Sequence, residues 1–418
     1  MKEEEKLKAL NSILHHCRAS AFYRQRIPEL PINSLEDFKS IPLMTKDDIR
    51  SQSPFGLVCI PRHKLYQYHE TFGTTGTPAS SWFSFKDLQN VARSLAAWGV
   101  NFNKQDTVLI RFPYAISSAA HFVHLAAQAR KASVVPVSSR TTVSPFTRVI
   151  ELMRKLEVTV LAGLPLQVLL IAETAEILGL DPKRDFPHLR AIATAGEPHP
   201  PKRRELLEQI WNVPVYDHYG MTECGPVGVH CYYKRSHVAE DKHYIEILDD
   251  DLQSDAKPGE YGNLVITTLK REATPMLRYL TGDRARILAE PCPCGEELHL
   301  EIRGRREDTI VTKSRVFDRW DLEELVSHFP CRRFWVAGPA EDGIQLVIEK
   351  ERDSDMIAPE LVQELEKQYA ISLKVELVPR GTLYDRSELL DIGVVGKPRY
   401  IYTAAEMQAR AYVGSNKL

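Results

Sequence analysis

Residues 105–216 alternate between short apolar runs and segments of helical period, and this alternation constrains the fold more than any other feature. The apolar runs are Val108–Phe112, Val134–Val137, Val158–Leu161, Ala191–Ala195 and Val213–Tyr216. Helical segments lie between them, at Ser118–Ala129, Arg148–Lys155 and Lys202–Ile210. Apolar runs without polar alternation are typical of strands buried on both faces. Strands that alternate with helices predict a mostly parallel sheet covered by helices.

The pattern changes after about residue 240, where antiparallel strands are predicted at Tyr261–Leu269 and Arg303–Thr312. Three short apolar runs and one helical segment follow, at Trp335–Ala337, Ile344–Glu349, Leu373–Val378 and Pro359–Tyr369. This mixture is typical of a small α+β domain. We therefore predict an α/β protein whose large N-terminal domain, residues 1–306, has mostly parallel, covered sheets. A hinge would join it to a small C-terminal α+β domain, residues 307–418.

The composition excludes several classes of protein. The 418 residues carry 54 Lys and Arg against 56 Asp and Glu, a net charge of −2, which disfavours broad binding to nucleic acids or anionic membranes. The first ten residues, MKEEEKLKAL, are too charged for a secretory signal. The most apolar stretch, around Leu161–Leu180, is interrupted by glycine, proline and glutamate, so no membrane span is expected. Seven cysteines without a secretory signal predict a reducing compartment, the cytoplasm.

A segment rich in glycine and threonine, TFGTTGTP, runs from Thr71 to Pro78. Gly73 and Gly76 permit backbone conformations that turn several N–H groups into one concavity, and the threonines add hydroxyl donors. Phosphate oxygens fit such a loop, although it lacks the Gly-Lys-Ser/Thr ending of a P-loop. A polar turn between two strands is the alternative interpretation.

Three further motifs carry groups that suit a nucleotide. The sequence YGMTE at residues 219–223 offers an aromatic face for a base, and oxygen ligands for phosphate and Mg²⁺. Asp283, in the sequence TGD, offers a carboxylate that can accept both hydroxyls of a ribose. Lys397, in the turn GKPR, could reach a reaction centre from the small domain. Each motif, taken alone, is also compatible with a solvated surface turn.

The order of these motifs resembles the adenylate-forming superfamily, which includes acyl-CoA synthetases, luciferases and the adenylation domains of peptide synthetases. The order is a threonine–glycine loop, YGMTE, TGD, a GRRED element at residues 304–308 and a late GK. Within the superfamily, the chain looks most like the phenylacetate–CoA ligase family. This resemblance runs from about residue 10 to 403 and includes AGEP at residues 195–198.

The resemblance implies an AMP-forming enzyme. It would activate a carboxylic acid with ATP and Mg²⁺, release pyrophosphate and form an acyl-adenylate, whose acyl group passes to the thiol of coenzyme A. Thr222 would contact the α-phosphate, Glu223 would bind Mg²⁺, and Lys397 would bridge the acid and the α-phosphate. Glu307 or Asp308 would form the hinge. The other implied nucleotide contacts are Thr71, Gly73, Thr74, Thr75, Gly76, Thr77, Gly196, Glu197, Pro198, Tyr219, Gly220, Asp283 and Arg305.

The resemblance also implies where the acid binds. The region of relatives that corresponds to Phe112, Tyr114 and His121 shapes the acyl site, and Gly220 is expected beside it. The two aromatic rings suit an aryl or arylacetic acid, although simple core packing is the alternative interpretation. Relatives are often dimers, so a homodimer is one expectation for this chain.

Three cysteines and one histidine predict a second metal, a structural Zn²⁺. Two of the cysteines lie on one tight turn, and the other two residues lie in a separate loop: Cys292, Cys294, Cys231 and His237. Three thiolates and one imidazole suit tetrahedral zinc, and some members of the family resemble this arrangement. His230 and His243 are nearby alternatives to His237.

Two departures from the family pattern leave alternatives open. The loop has Thr77 where lysine is usual, so one positive charge is missing, and Ser314 replaces a glycine of a loop that helps to admit the pantetheine arm. The second departure favours a carrier-protein thiol or an amine as the acceptor in place of coenzyme A. The first favours a non-catalytic nucleotide-binding relative. The joint presence of Glu223, Asp283 and Lys397 argues against that last alternative.

Overall fold

The structure is a computed structural model that describes residues 1–71, 77–96, 98–139, 141–386, 399–410 and 412. Five residues predicted to serve the nucleotide or the chemistry lie outside these ranges: Gly73, Thr74, Thr75, Gly76 and Lys397. Among the described residues, no helix is both long enough and apolar enough to cross a bilayer.

The described helices, besides a 3₁₀ turn at Arg62–Lys64, are α1 (Glu3–Cys17), α2 (Ala21–Arg24), α3 (Leu35–Lys39), α4 (Lys46–Gln52), α5 (Phe85–Ala96), α6 (Ala119–Ala129), α7 (Phe146–Lys155), α8 (Pro165–Ile177), α9 (Pro201–Trp211), α10 (Arg319–Ser327), α11 (Pro359–Tyr369) and α12 (Ala404–Ala409). The described strands are β1 (Leu65–Glu70), β2 (Ser80–Ser84), β3 (Thr107–Ile110), β4 (Ser133–Val135), β5 (Val160–Gly163), β6 (Ala191–Ala195), β7 (Val215–Met221), β8 (Gly225–His230), β9 (Ser236–Val238), β10 (His243–Leu248), β11 (Gly262–Thr268), β12 (Tyr279–Ile287), β13 (His299–Arg305), β14 (Ile310–Val311), β15 (Val316–Phe317), β16 (Trp335–Ala340), β17 (Gly343–Glu349) and β18 (Ser372–Val378).

The chain forms two compact units. The first comprises residues 1–136, 193–196 and 216–302, and the second comprises residues 137–192, 197–215 and 303–418. The change of unit after Ile302 lies close to the boundary predicted at residue 306. The second unit, however, also takes two segments from the N-terminal part of the chain. A division into domains at residue 306 therefore stays a prediction.

The first unit is built on a large sheet. Eight strands lie side by side in the order β10-β11-β12-β13-β9-β8-β7-β6. The pairs β7–β8, β8–β9, β10–β11 and β11–β12 are antiparallel, whereas β3 and β4 pair in parallel with Val108 opposite Val134. The five apolar runs predicted as strands are confirmed as β3 to β7, and the predicted helical segments as α6, α7 and α9.

Helices of the N-terminal segment pack against this sheet through apolar side chains. Buried members of this core come from α1, α3, α4, β11 and β12: Leu10, Leu14, Phe38, Ile49, Leu264, Ile266 and Tyr279. Such burial is the main stabilising contribution to a core of this kind. This packing holds the short helices α3 and α4 against β11 and β12.

The start of α4 is fixed by backbone hydrogen bonds to β12 and by its own cap. The N–H of Met44 donates to the Arg278 carbonyl at 2.9 Å, and the Met44 carbonyl accepts from the Leu280 N–H at 2.8 Å. Thr45 and Asp48 form a capping box, in which each side chain accepts from the other residue's N–H. The first turn of α4 is therefore held beside β12.

The second unit contains a three-stranded sheet, β16-β17-β18, in which β16 and β17 are antiparallel and β17 and β18 are parallel. Side chains of α10, α11 and β17 form its core: Leu322, Val326, Leu365, Ile344, Leu346 and Ile348. The strands predicted at Trp335–Ala337, Ile344–Glu349 and Leu373–Val378 and the helix at Pro359–Tyr369 are confirmed, whereas the strand predicted at Arg303–Thr312 is interrupted by a turn between β13 and β14. The helix α10 was not predicted, although Asp318 and Asp321 form a capping box at its start.

Candidate active site

The turn between β7 and β8 carries Thr222 and Glu223. Gly220, near the end of β7, lies so close to β8 that an added Cβ would meet the Gly225 carbonyl oxygen at 2.8 Å. A side chain at position 220 would therefore push the two strands apart. Glycine permits the close pairing that ends in this turn, where Glu223 is buried and Thr222 is half-buried.

Two groups of the first unit contact one oxygen of the Glu223 carboxylate. The hydroxyl of Tyr279, on β12, donates a hydrogen bond of 3.3 Å to Oε1. The ammonium of Lys46, on α4, lies 3.8 Å from the same oxygen. The Lys46 side chain is 32% exposed and that of Glu223 is 4% exposed, so the pair lies at the edge of solvent. Lys46 was not among the predicted site residues.

A hydrogen bond joins Tyr219 to Asp283. The Tyr219 hydroxyl donates to the Asp283 Oδ2 atom at 2.6 Å, and the Asp283 N–H donates to the Thr281 hydroxyl at 3.1 Å. Gly282, between Thr281 and Asp283, has a φ of 81°, a left-handed conformation that favours glycine. The structure therefore brings together two residues that the sequence assigned to the base and to the ribose.

The two ends of the threonine loop that the structure describes are both held in place. The Thr71 N–H donates to the Ala79 carbonyl at 2.9 Å, and the Ala79 N–H donates to the Thr71 hydroxyl at 3.0 Å. The Arg50 Nε donates to the Thr77 carbonyl at 2.8 Å. Arg50 lies four residues after Lys46, so both side chains leave the same face of α4.

Residues of the AGEP motif divide between the units. Gly196, with a φ of 84°, belongs to the first unit, and Glu197, Pro198 and Arg305 belong to the second. The Glu197 Oε1 atom accepts from the Leu166 N–H at 3.0 Å, and burial raises the pKa of this carboxyl above its ordinary value. Gly304, beside Arg305, has a φ of 98°, and a Cβ there would lie 2.9 Å from the Pro198 ring.

Two of the predicted acid-binding residues, Tyr114 and His121, form part of an aromatic cluster in the first unit. Phe112 is buried, and the Tyr114 hydroxyl is 3.1 Å from the His124 Nδ1 atom. The His121 Nε2 atom donates to the Tyr114 carbonyl at 2.9 Å, and the two rings are 5.3 Å apart. Burial raises the pKa of the Tyr114 hydroxyl, so it stays protonated.

His69 joins this cluster, and the sequence analysis did not identify it. Its ring centroid lies 5.1 Å from that of His121 and 5.6 Å from that of Phe83. Burial lowers the pKa of His69 to about 4, so the imidazole is neutral at pH 7. A neutral, aromatic surrounding of this kind suits an apolar ring better than a charged or strongly polar group.

The four predicted zinc ligands converge. The ligand atoms of Cys231, His237, Cys292 and Cys294 all lie within 4.8 Å of one another. The Cys231 and Cys292 sulfurs are 3.7 Å apart, and the Cys294 sulfur is 3.3 Å from the His237 Nε2 atom. Two sulfurs at about 2.3 Å from one tetrahedral zinc ion are about 3.8 Å apart, so this spacing fits zinc.

The second imidazole nitrogen and the alternative histidines support the same ligand set. The His237 Nδ1 atom lies 3.3 Å from the Leu298 carbonyl, the outer contact that a zinc-binding imidazole usually makes. The His230 Nδ1 atom instead accepts from the Asp217 N–H at 3.0 Å. Among the described residues, the converging set contains His237 and neither His230 nor His243.

Comparisons with known proteins identify the family of this chain. The profile of the family described as AMP-binding enzyme matches residues 9–270. A phenylacetate–coenzyme A ligase of Thermus thermophilus is 28% identical over 91% of this chain and 92% of its own length. One from Pseudomonas putida is 29% identical over 75% of this chain and 73% of its own length.

Solved structures show the same fold. A crystal structure of 2-hydroxyisobutyryl-CoA ligase, in the postadenylation state with 2-HIB-AMP, superposes with a TM-score of 0.83. It is 21% identical and covers 98% of this chain and 91% of its own. ATP-bound MatB from Rhodopseudomonas palustris gives a TM-score of 0.59 at 15% identity, over 86% of this chain and 70% of its own. These likenesses confirm the predicted α/β fold class.

Proposed function

Because the chain belongs to the family of AMP-binding enzymes and resembles phenylacetate–CoA ligases over most of its length, we propose that it is an AMP-forming carboxylate–CoA ligase. It activates a carboxylic acid with ATP, forms an acyl-adenylate and transfers the acyl group to coenzyme A. The observation that carries this proposal is the hydrogen bond from Tyr219 to Asp283. Asp283 lies on β12, and Tyr279 of the same strand donates a hydrogen bond to Glu223.

The first step joins two anions. A carboxylate oxygen of the acid attacks the α-phosphorus of ATP, the bond from that phosphorus to the bridging oxygen breaks, and pyrophosphate leaves. Catalysis is therefore mostly positioning and charge neutralisation. Lys46, Arg50 and the proposed Lys397 supply positive charge, and Tyr219 with Asp283 supplies a ring and a carboxylate for the nucleoside.

The second step transfers the acyl group. The coenzyme A sulfur, after loss of its proton, attacks the carbonyl carbon, the bond from that carbon to the phosphate oxygen breaks, and AMP leaves. Ser314 lies in the turn between β14 and β15, where its hydroxyl is 3.2 Å from that of Thr312. The departure from the family glycine at Ser314 leaves a carrier-protein thiol or an amine as the alternative acceptor.

The proposed acid is an aryl or arylacetic acid. Tyr114 and His121 form an aromatic cluster that the neutral His69 extends, and Phe112, two residues before Tyr114, is a further buried aromatic side chain. Fatty acids would find fewer flexible apolar side chains there, and amino acids would need an acidic partner for the ammonium. The homodimer expected from the family also stays a proposal.

Mg²⁺ is proposed to bind at Glu223. The Tyr279 hydroxyl and the Lys46 ammonium both approach the Oε1 atom of this buried carboxylate. Mg²⁺ commonly binds one or two carboxylates together with substrate phosphates, so this residue fits the ion. When bound, the ion would neutralise phosphate charge.

Zn²⁺ is proposed to bind the cluster of Cys231, His237, Cys292 and Cys294, where it would be structural, since four protein ligands complete a tetrahedral shell. These ligands require reduced thiols, which supports the proposed cytoplasmic location. Elemental analysis of purified protein should give about one zinc per chain. A metal-free protein of undiminished stability would contradict this site.

A screen of pyrophosphate release tests the proposed activity. Aryl, arylacetic, fatty and amino acids are each offered with ATP and Mg²⁺, with and without coenzyme A. We expect release with aryl or arylacetic acids, and stimulation by coenzyme A. Release that ignores coenzyme A would favour the carrier-protein or amine acceptor. If no acid of the panel gives pyrophosphate release while ATP binding is intact, the result would support the non-catalytic alternative.

A further inference from the structure

A small cavity lies in the first unit, between α5 and the strands β8, β10 and β11. Its volume is about 40 Å³, which gives room for about three water molecules. None of the described lining residues belongs to the sets assigned to ATP, the acid or zinc. The polar side chains that line the cavity include Asn90, Ser94, Lys242, His243, Lys270 and Arg271.

The buried guanidinium of Arg271 has donors that no described side chain uses. The side chain is 6% exposed, and its hydrogen bonds are all donated by Nη2: to the Ser81 hydroxyl at 2.6 Å, the Trp82 carbonyl at 3.1 Å and the Thr274 hydroxyl at 3.5 Å. Its Nε atom has no hydrogen-bond partner among the described residues. A Cβ added at Gly225 would lie 3.6 Å from Nη1, so a glycine leaves room beside that nitrogen.

The nearby carboxylate of Asp87 does not supply the acceptor that Arg271 lacks. Its Oδ2 atom lies 3.9 Å from the Arg271 Nε atom, which is too far for a hydrogen bond. The carboxylate instead accepts from main-chain N–H groups, those of Ser84 at 2.9 Å, Glu272 at 2.8 Å and Ala273 at 3.0 Å. Asp87 therefore serves the start of α5 and the turn after β11, and it offsets the charge of Arg271 only in part.

Two lysines bring further positive charge to the cavity. The Lys242 ammonium donates to the Ser94 hydroxyl at 2.7 Å, and the Lys270 ammonium lies 2.5 Å from the Asp241 carboxylate. Burial is the main cause that lowers the pKa of Lys242, and the charges of Lys270 and Arg93 lower it further, although Asp241 opposes the shift. The surroundings of Lys242 thus already hold more positive charge than they compensate.

The lining as a whole has a surplus of positive charge. Its cations are Lys242, Lys270 and Arg271, and its described acidic member is Asp87. His243 adds no charge, because burial lowers its pKa to about 4 and the ring is neutral at pH 7. Buried N–H donors without acceptors are costly, and so is uncompensated buried charge. A small anion with several oxygens would relieve both costs.

We propose that this cavity binds a phosphate-type oxyanion, with Arg271 and Lys242 as its main ligands. Hydrogen bonds between ionised donors and phosphate oxygens are among the strongest in proteins. The volume admits one phosphate group and is too small for a nucleoside. Free phosphate and the terminal phosphate of a larger molecule, such as the 3′-phosphate of coenzyme A, offer the same chemistry. The inference does not depend on the proposed ligase activity.

Calorimetric titration with inorganic phosphate tests the site. Saturating α,β-methylene ATP with Mg²⁺ occupies the candidate active site, and chloride keeps the ionic strength constant. We expect about one phosphate per chain, bound about 10-fold or more weakly by Lys242→Ala, the loss typical of a contact between charged groups. Lys257→Ala, at an exposed position outside the cavity, is the matched control and should bind like the parent. No phosphate binding by the parent, or parent affinity in Lys242→Ala, would overturn the inference.

Lys242→Gln covers the case in which Lys242→Ala does not fold, as judged by circular dichroism. Glutamine keeps a donor for the Ser94 hydroxyl and removes the charge. Phosphate should raise the thermal midpoint of the parent, because a ligand that binds the folded state stabilises it, and should raise that of Lys242→Gln much less. Equal increases in the two proteins would also overturn the inference.

A comparison of coenzyme A with dephospho-coenzyme A identifies the source of the phosphate. If the 3′-phosphate occupies the cavity, the parent should bind coenzyme A more tightly than the dephospho form, and Lys242→Ala should lose this preference. If free phosphate occupies it, the ratio of the two affinities should be equal in both proteins. Either result, together with weaker phosphate binding by Lys242→Ala, supports the site.

Discussion

The ammonium of Lys46 lies 3.8 Å from the Oε1 atom of Glu223, the carboxylate proposed to bind Mg²⁺. The threonine loop lacks the lysine that is usual in relatives, because Thr77 occupies that position. Arg50, one turn after Lys46, donates to the Thr77 carbonyl at 2.8 Å. Helix α4 therefore brings two cationic side chains, Arg50 to the end of the threonine loop and Lys46 to the Glu223 carboxylate. The positive charge at this place comes from α4, whereas in relatives a lysine of the loop supplies it.

Replacement of Lys46 by alanine should weaken the handling of ATP. We expect kcat/KM for ATP to fall about 10- to 100-fold, since contacts to charged groups contribute about 1.5–3 kcal/mol. Initial rates of pyrophosphate release against ATP concentration give this value. Lys64→Ala, at an exposed position in the 3₁₀ turn, is the matched control. Equal values for both variants would contradict a role for Lys46.

Replacement of Tyr219 by phenylalanine should raise the KM for ATP while the ring remains in place. The variant loses the 2.6 Å hydrogen bond to Asp283, so that carboxylate is less well held for the ribose. We expect about a 10-fold change, near the lower end for a bond to a charged group. Asp283→Asn should raise the KM for ATP more than Tyr219→Phe does. An unchanged KM in Asp283→Asn would show that this carboxylate does not contact the nucleotide.

Removal of zinc should lower the thermal midpoint of unfolding. Cys294 is exposed, so Cys294→Ser would cost little in a protein without metal. A clear fall in the midpoint, together with loss of zinc by elemental analysis, is expected because the serine hydroxyl is a poor ligand for zinc. In the apo protein, prepared with a chelator, the same substitution should have no effect. An equal fall in the thermal midpoint with and without metal would show that the substitution acts through packing and not through zinc binding.

Glu173, on α8, is the centre of a buried ionic network in the second unit. Its carboxylate contacts Arg333 at 3.0 Å, Arg380 at 2.5 Å and Arg386 at 3.0 Å, and it is 2% exposed. Glu173→Gln leaves these guanidinium groups without their shared charge. We expect a destabilisation of about 1–3 kcal/mol, measured by urea unfolding, because Arg333 and Arg386 keep other carboxylate partners. Glu176→Gln, at a more exposed site that contacts Arg333, should cost less than about 1 kcal/mol.

Stability should fall on acidification through this same network. Burial works to raise the pKa of Glu173, but the three guanidinium groups hold that pKa below its ordinary value. A carboxyl with a lowered pKa stabilises the folded state above its unfolded pKa, about 4.3, and loses this contribution as the pH falls further. The urea midpoint of Glu173→Gln should depend less on pH below about 4.3 than that of the parent. Parallel pH profiles would contradict the assignment.

Local pattern was enough to predict much of the fold. Apolar runs and helical periods gave β3 to β7 and α11 because each element is set by its own residues. The helix α10 was missed because it is only nine residues long, although Leu322, Leu325 and Val326 have helical spacing and the Asp318 and Asp321 capping box marks its start. The ordered motifs likewise identified Glu223, Asp283 and the zinc ligands as candidates.

Contacts between distant segments could not be predicted. The sequence shows a lysine in TKDD, but only the pairing of Met44 with β12 turns α4 so that Lys46 meets Glu223. Nor does any local signal link Glu173 to Arg386, which is 213 residues later. Such pairs depend on which elements pack together, and a periodic pattern carries no information about that choice.

The central claim, that the acid is activated as an acyl-adenylate, can be tested with a carboxylic acid labelled with ¹⁸O in both carboxyl oxygens. The enzyme, ATP, Mg²⁺ and coenzyme A are added, and the AMP is analysed by mass spectrometry. Attack of a carboxylate oxygen on the α-phosphorus predicts one ¹⁸O atom in each AMP formed. Unlabelled AMP, or label in inorganic phosphate beside ADP, would contradict the account.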